Sequence, residues 1–274
     1  DQVNEVPAAD YYQKYLSLAS ASTQKYKQVQ ANFNSLLGEE NSIIKIEIEG
    51  EDHELKRTHN YWDYRRSEKK NKIQFKSFDS GISYVNLDVI TIDSIQSLLP
   101  KLEASKAIIF DLRNYPNGNH GVINLLLKQK DTNKSWMRIP QYLYPNQKSI
   151  AGFENHGWEL KPEKPHLGDK KIIFITSPAA ISYAESYMGF IEGYKLATIV
   201  GQPTAGTNGN VNSLYLNDGV QFNFTGMLVY KFDGKLLHGR GIMPDVLVEK
   251  TIAGIKAGKD EFLEKALEIA RAEN

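Results

Sequence analysis

Ser182, Tyr183, Ala184 and Glu185 stand in S-x-x-E spacing where a small-residue turn, 177–181, meets a run with helical periodicity. A serine hydroxyl there has two uses. As an N-cap it accepts a backbone N–H while Glu185 reaches back to the serine's own N–H, a capping box that needs no function. As a nucleophile it attacks a carbonyl, and the unpaired N–H groups and positive dipole end of the helix steady the oxyanion. Ser177, before Pro178, is a rival cap with proline at the first helical position. If Ser177 caps, Ser182 falls inside the first turn and its hydroxyl is free for other work.

A serine is a weak nucleophile until a neighbouring base takes its proton. The histidines are His53, His59, His120, His156, His166 and His238, with no H-x-x-x-H pair among them, so a histidine zinc site is not expected. The glycines of GQPTAGTNGN follow an apolar run but lack P-loop spacing and its lysine. No GxSxG occurs. With no cysteine at all, thiol catalysis, disulfides and cysteine metal sites are excluded.

The elements that must position Ser182 surround it. Lys171 to Thr176 is an apolar, strand-like run. Ala184, Tyr187, Met188 and Ile191 then repeat at helical spacing, and Leu196 to Val200 is a second apolar run ending in the loop 201–209. The order is strand, helix, strand. Upstream, 81–87 reads as a strand and 92–104 as an amphipathic helix that Pro100 is expected to kink or split. KAIIFDL, 106–112, is a buried-type strand, RNYPNGN a turn-rich loop at its carboxyl end, and 120–128 helical again. The repeated βα order points to an α/β layered domain. Residues 131–168 hold few clear elements, and read either as a lid or substrate wall or as a packed excursion. After 209 the pattern turns β-rich, with short runs at 213–216, 221–224 and 227–231, a last strand at 246–248 and a closing helix over 259–272.

Residues 8–19 and 23–37 are helix-like, and 42–58 reads as a hairpin of alternating apolar and charged residues. Two helices and a hairpin are thin for an independent core, so the chain is expected to begin part-way through a small domain. Residues 58–72 are polar, aromatic and basic and read as a connector, with Tyr61, Trp62 and Tyr64 as packing aromatics rather than a stacking platform.

The 274 residues suffice for a sizeable core. Lys plus Arg and Asp plus Glu number 33 each, so bulk charge drives no nucleic-acid or anionic-membrane partner. No apolar stretch reaches the roughly 18 residues of a membrane span. The opening DQVNEVPAADYY has neither a basic n-region nor an apolar h-region, so no signal peptide is expected in it.

Three stretches together, 106–118, 171–209 and DG…HGRGIMPDVLV, resemble in order and spacing the catalytic domain of the tail-specific, or C-terminal processing, serine peptidases of family S41, the tricorn-core branch included. The resemblance covers about residues 73–250. It implies a ClpP/crotonase-like α/β core over 73–274, with 1–57 as a partial PDZ-like segment and 58–72 as the connector. It implies a serine-type endopeptidase acting through an acyl-enzyme on Ser182, on peptide or protein substrates and near their C-termini, with no cofactor or metal, in the periplasm or outside the cell. The oxyanion donors it implies are the N–H of Tyr183 and that of Asn117 or Gly118, where the family writes Gly-Gly. One departure stands out: Thr207 occupies the position of the family's catalytic lysine in G-K-G, so a Ser/Lys dyad is ruled out. The tricorn branch uses a histidine from an upstream segment that has no match here and would precede residue 1. Within the chain, His238, near where that branch places a catalytic acid, is the base to test first, and His120 the second. The plain alternative is that His238 is a turn residue. A rival reading is a peptide- or ligand-binding module on a protease fold that has lost catalysis.

Overall fold

The computed structural model describes residues 1–58, 61–130, 136–144 and 148–272. The chain divides into two compact units, Asp1–Lys72 and Ile73–Asn274. The first contains β1 (Gln2–Val3), β2 (Val6–Pro7), α1 (Ala8–Leu18), α2 (Gln24–Asn34), β3 (Ile43–Ile48), β4 (Glu51–Lys56) and α3 (Tyr61–Lys70). Its strands form one antiparallel sheet in the order β2-β1-β3-β4. Glu49 and Gly50 both take positive φ at the tip of the β3–β4 hairpin, the turn whose twist matches that of the strands. Ala19, Ala31 and Ile44 are the buried apolar residues of this unit among those described, a thin core. Residues 61–70 are helical, although the sequence reads as a connector; the side chains of Tyr61, Trp62 and Tyr64 lie outside the described ones.

The second unit runs β5 (Phe75–Phe78), β6 (Ile82–Asn86), α4 (Ile92–Ala104), β7 (Ala107–Asp111), α5 (Val122–Leu126), β8 (Met137–Tyr142), β9 (Ile150–His156), β10 (Lys171–Thr176), α6 (Tyr183–Gly193), β11 (Thr198–Gly201), β12 (Val211–Tyr215), β13 (Gln221–Thr225), β14 (Val246–Leu247), α7 (Ile252–Lys256) and α8 (Glu261–Arg271). Its six-stranded sheet has the order β14-β11-β10-β7-β6-β5, parallel throughout except for the antiparallel edge strand β5. The central strands β7 and β10 are apolar almost throughout because both of their faces are covered. Ile108, Phe110 and Phe174 pack with Ile95 and Leu102 of α4, Val122 of α5 and Tyr187 of α6. The alternate residues Ala107, Ile109, Ile173 and Ile175 pack with Phe262, Ala266 and Leu267 of α8. One strand period thus feeds two cores. Each large side chain buried in them contributes on the order of 1.5–3 kcal/mol.

Two details depart from the sequence pattern. Helix α4 runs unbroken through Pro100, anchored on either side by the fully buried Ile95 and Leu102. Residues 227–231 form only an isolated bridge at Tyr230 with Arg138 and Leu236, because the chain turns back at 231–235. The 131–168 stretch contains the β8–β9 hairpin, and Trp136 ahead of it is sealed in the core; residues 131–135 and 145–147 lie outside the described ones.

Candidate active site

Three loops leave the carboxyl ends of neighbouring parallel strands: 112–121 after β7, 177–182 after β10 and 202–210 after β11. That edge is where open α/β sheets place their ligands. Ser182 occupies the N-cap position of α6, and Ser177 does not cap this helix. Instead the Ser177 hydroxyl donates to the Arg113 carbonyl at 2.7 Å and accepts the Ala179 N–H at 3.1 Å, tying the β7 loop to the β10 loop.

The backbone of Ser182 has φ +56° and ψ −109°. Only glycine enters that region without steric cost, and a side-chain-bearing residue held there costs on the order of 1–3 kcal/mol. The contacts that hold it are explicit. Its N–H reaches the Thr207 carbonyl at 3.1 Å and Glu185 Oε2 at 3.3 Å, and its carbonyl accepts the side-chain amide of Asn208 at 2.7 Å. Glu185 is fully buried and accepts three further donors: the Thr204 hydroxyl at 2.6 Å, the Gly206 N–H at 2.7 Å and the Thr207 N–H at 3.0 Å. Burial pushes this carboxyl up, and those donors pull it back. Thr204 also accepts the Ile242 N–H at 2.8 Å, so its single proton is given to Glu185. All four groups facing Glu185 are therefore donors, which only an ionised carboxylate satisfies.

The two N–H groups expected at the oxyanion position fare differently. The Tyr183 N–H, at the first position of α6, carries no hydrogen bond within the described residues. The backbone N–H of Asn117, one of the two expected at this position, donates instead to the Leu87 carbonyl at 2.8 Å, and its side-chain amide donates to the Val89 carbonyl at 3.0 Å. Gly118, at φ +66°, keeps an N–H with no partner among the described residues. Glycine takes that positive φ without steric cost. The anchor on the far side is Asn119, fully buried and donating to the carbonyls of Leu87 and Ile90.

Neither candidate imidazole hydrogen-bonds the Ser182 hydroxyl. The ring of His238 lies against the backbone of Met227 and Asn208, and its Nε2 is buried without a partner among the described residues. Burial depresses its pKa, and those two backbone contacts oppose the shift. It is linked to Ser182 through Asn208, whose amide grips the Ser182 carbonyl. His120 is committed elsewhere. Its Nδ1 lies 2.8 Å from the Tyr183 hydroxyl and its ring stacks on Trp158 at 4.2 Å, while burial lowers its pKa. Thr207 lies beside Ser182 through its backbone, at the position that the resemblance matches to the family's lysine. Among the described residues no group of side chains could hold a metal ion, and no helix is long and apolar enough to cross a membrane.

Sequence reasoning missed Asn208, which sits in a Gly/Thr loop without any spacing signal. It also missed the aromatic group of Tyr115, His120, Trp158 and Tyr183, assembled from three separate segments.

The sequence profile described as peptidase family S41 matches residues 73–248. The chain is 26% identical over 195 residues to a Staphylococcus aureus protein named "Probable CtpA-like serine protease", covering 66% of this chain and 37% of that protein. It is 26% identical over 172 residues to a carboxy-terminal-processing protease of Bartonella bacilliformis, covering 63% of this chain and 37% of that one. The chain thus spans little more than a third of the length of these relatives. Among solved structures, mature CPAF superimposes with a TM-score of 0.65 at 13% identity, over 97% of this chain and 75% of that one. A candidate peptidase of Parabacteroides merdae superimposes with a TM-score of 0.59 at 18% identity, over 98% and 90%. These two likenesses show a shared mixed α/β fold.

Proposed function

The chain belongs to peptidase family S41, and from that premise we propose that it is the catalytic part of a serine-type endopeptidase. Ser182 is the nucleophile, the N–H groups of Tyr183 and Gly118 form the oxyanion hole, and His238 is the general base. The observation that carries this reading is the backbone of Ser182, held at φ +56° at the start of a helix with an unpaired amide next to it. An ordinary N-cap takes β-region angles, as Thr91 and Thr251 do on α4 and α7. A strained residue over-determined by its surroundings marks a site where geometry matters more than local comfort.

In the reaction, the Ser182 hydroxyl adds to the scissile carbonyl and its proton passes to Nε2 of His238. Nε2 is the ring nitrogen that has no partner among the described residues, so it is the one open to accept. Substrate binding would have to bring Nε2 and the hydroxyl together, as catalytic hydrogen bonds often tighten only in the complex. The two amides take the negative oxygen of the tetrahedral intermediate, which collapses to an acyl-serine as His238 returns the proton to the leaving amine. Water then releases the acyl group by the same steps, and no cofactor or metal is called for.

The finer parts of the reading rest on resemblance: a ClpP/crotonase-like core, a PDZ-like first unit that captures a substrate terminus by strand addition, cleavage near C-termini, and a periplasmic or extracellular site of action. Thr207 in the lysine position and the gap between His238 and Ser182 favour one other reading, a peptide-binding module without catalysis. A fluorophosphonate probe separates the two. Labelling that disappears in Ser182→Ala supports the peptidase; a label that survives the substitution overturns the assignment of Ser182. No label, together with tight binding of C-terminal peptides, supports the binding module.

A further inference from the structure

The Tyr183 hydroxyl accepts the backbone N–H of His120 at 3.3 Å and meets the His120 ring Nδ1 at 2.8 Å. Tyr183 supplies one of the two unpaired amides, and His120 lies two residues after Gly118, which supplies the other. A single phenol therefore joins the start of α6 to the loop after β7. The surrounding rings hold it there. Trp158 stacks on His120 at 4.2 Å and meets Tyr183 edge-on at 5.4 Å, and Tyr115 packs against Tyr183 at 5.7 Å. The hydroxyl accepts from an amide on one side, so its own proton is free to go to Nδ1 of a neutral His120. Both of its hydrogen bonds are thereby satisfied within one loop.

We infer that the Tyr183 side chain, buttressed by His120, is a positioning residue that sets the spacing of the Tyr183 and Gly118 amides for the oxyanion. The inference rests on the reading of Ser182 as the nucleophile. Oxyanion donors act only when preorganised at about 2.7–3.1 Å from the developing charge. A displacement near 1 Å can cost about a hundredfold in rate. The Ser182 backbone is fixed by Glu185, Thr207 and Asn208, and the loop that carries Gly118 is joined to the nucleophile turn by the Ser177–Arg113 hydrogen bond at its start and by the His120–Tyr183 contact at its end, the nearer of the two to Gly118 in sequence. Tyr183→Phe removes that contact and leaves the ring packing intact.

The test uses a fluorophosphonate probe, whose phosphoryl oxygen takes the oxyanion position, and separates its binding constant KI from the labelling rate constant kinact. Tyr183→Phe is expected to lower kinact by about 10–100-fold, within the cost of a displaced donor, with KI unchanged and thermal unfolding close to wild type. His120→Leu, which removes the ring acceptor, is expected to lower kinact in the same sense. His120→Asn, whose Oδ1 can stand where Nδ1 stood, is expected to recover most of that loss. Wild-type kinact in Tyr183→Phe, or a change confined to KI, overturns the inference while leaving Ser182 as nucleophile. A wild-type chain that does not label, or labels without Ser182, removes the underlying reading and this inference with it.

Discussion

Glu185 lies three residues after Ser182, is wholly buried, and accepts the Ser182 N–H at 3.3 Å while its other oxygen takes the Thr204 hydroxyl and the Gly206 N–H. The carboxylate is thus the common anchor of the nucleophile turn and the loop that follows β11. Truncation by Glu185→Ala takes the acceptor from the Thr204 hydroxyl and the Gly206 and Thr207 N–H groups, while the Ser182 N–H keeps the Thr207 carbonyl; each donor left unsatisfied in the interior costs about 1–3 kcal/mol. We expect a loss near the upper end for a single substitution, about 4 kcal/mol, in denaturant unfolding. Glu185→Gln keeps one acceptor oxygen and should lose less. A loss under 1 kcal/mol for the alanine variant would mean that water takes up these donors.

Arg113 joins the end of β7 to the start of α8. It donates to Asp111 through Nη2 at 2.6 Å and grips both oxygens of Asp260 at 2.8 Å, and Tyr84 donates to Asp111 at 2.7 Å. Arg113→Met would leave the nearly buried Asp111 without the guanidinium that pairs it. Removing one partner of such a cluster costs about 3–5 kcal/mol, and equilibrium unfolding would report it. An effect within 0.5 kcal/mol, the range of an ordinary surface change, would show that the pairing stabilises nothing.

The same cluster sets an acid limb. Burial pushes the Asp260 carboxyl up, but the hydrogen bonds and charge of Arg113 outweigh it and hold it below the ordinary 3.8. The folded chain thus binds this proton less readily than the unfolded chain does. Its stabilisation is complete above pH 3.8 and is lost as the pH falls through that value and below. Thermal unfolding followed from pH 6 to pH 2 should show the decline, and it should be shallower in Asp260→Asn. Equal slopes would remove Asp260 from the account.

Gly189 in α6 lies against Trp136, and a methyl there would meet the indole at 2.2 Å. Alanine would otherwise favour the helix by about 1 kcal/mol. The indole is fully buried and has nowhere to move, so overpacking at about 1–3 kcal/mol or more wins. Gly189→Ala should therefore unfold at lower temperature than wild type; a rise in Tm would show that the indole has room.

If His238 is the base, it must be neutral to act, and burial sets its pKa below the ordinary 6.5. The labelling rate of Ser182 should then fall on the acid side only below pH 6.5, with a plateau at neutral pH. His238→Gln should abolish the limb along with most of the rate. An unchanged rate in that variant would assign the base elsewhere.

Much of the architecture was legible because it depends on period and composition. The apolar runs at 107–111 and 171–176 and the helical spacing after Ser182 all mark local structure that the chain adopts where they predict it. The edge strand β5 escaped notice because four half-exposed residues carry no clear alternation. The strand expected at 227–231 failed because a local alternation says nothing of whether a partner strand continues beside it.

At the site, the chain's order of residues determined that a serine stands three positions before a glutamate at a helix start, and that Thr207 stands where the family pattern has a lysine. Tertiary structure alone decided the rest. It gave the Asn117 amide to Leu87 and left that of Gly118 unpaired, bound His120 to Tyr183, and set the Ser182 backbone at an angle its local sequence would not choose. The physical reason is that a hydrogen bond is a matter of distance and direction between groups far apart in sequence. The loops after β7, β10 and β11 meet only because the parallel sheet brings their strand ends together.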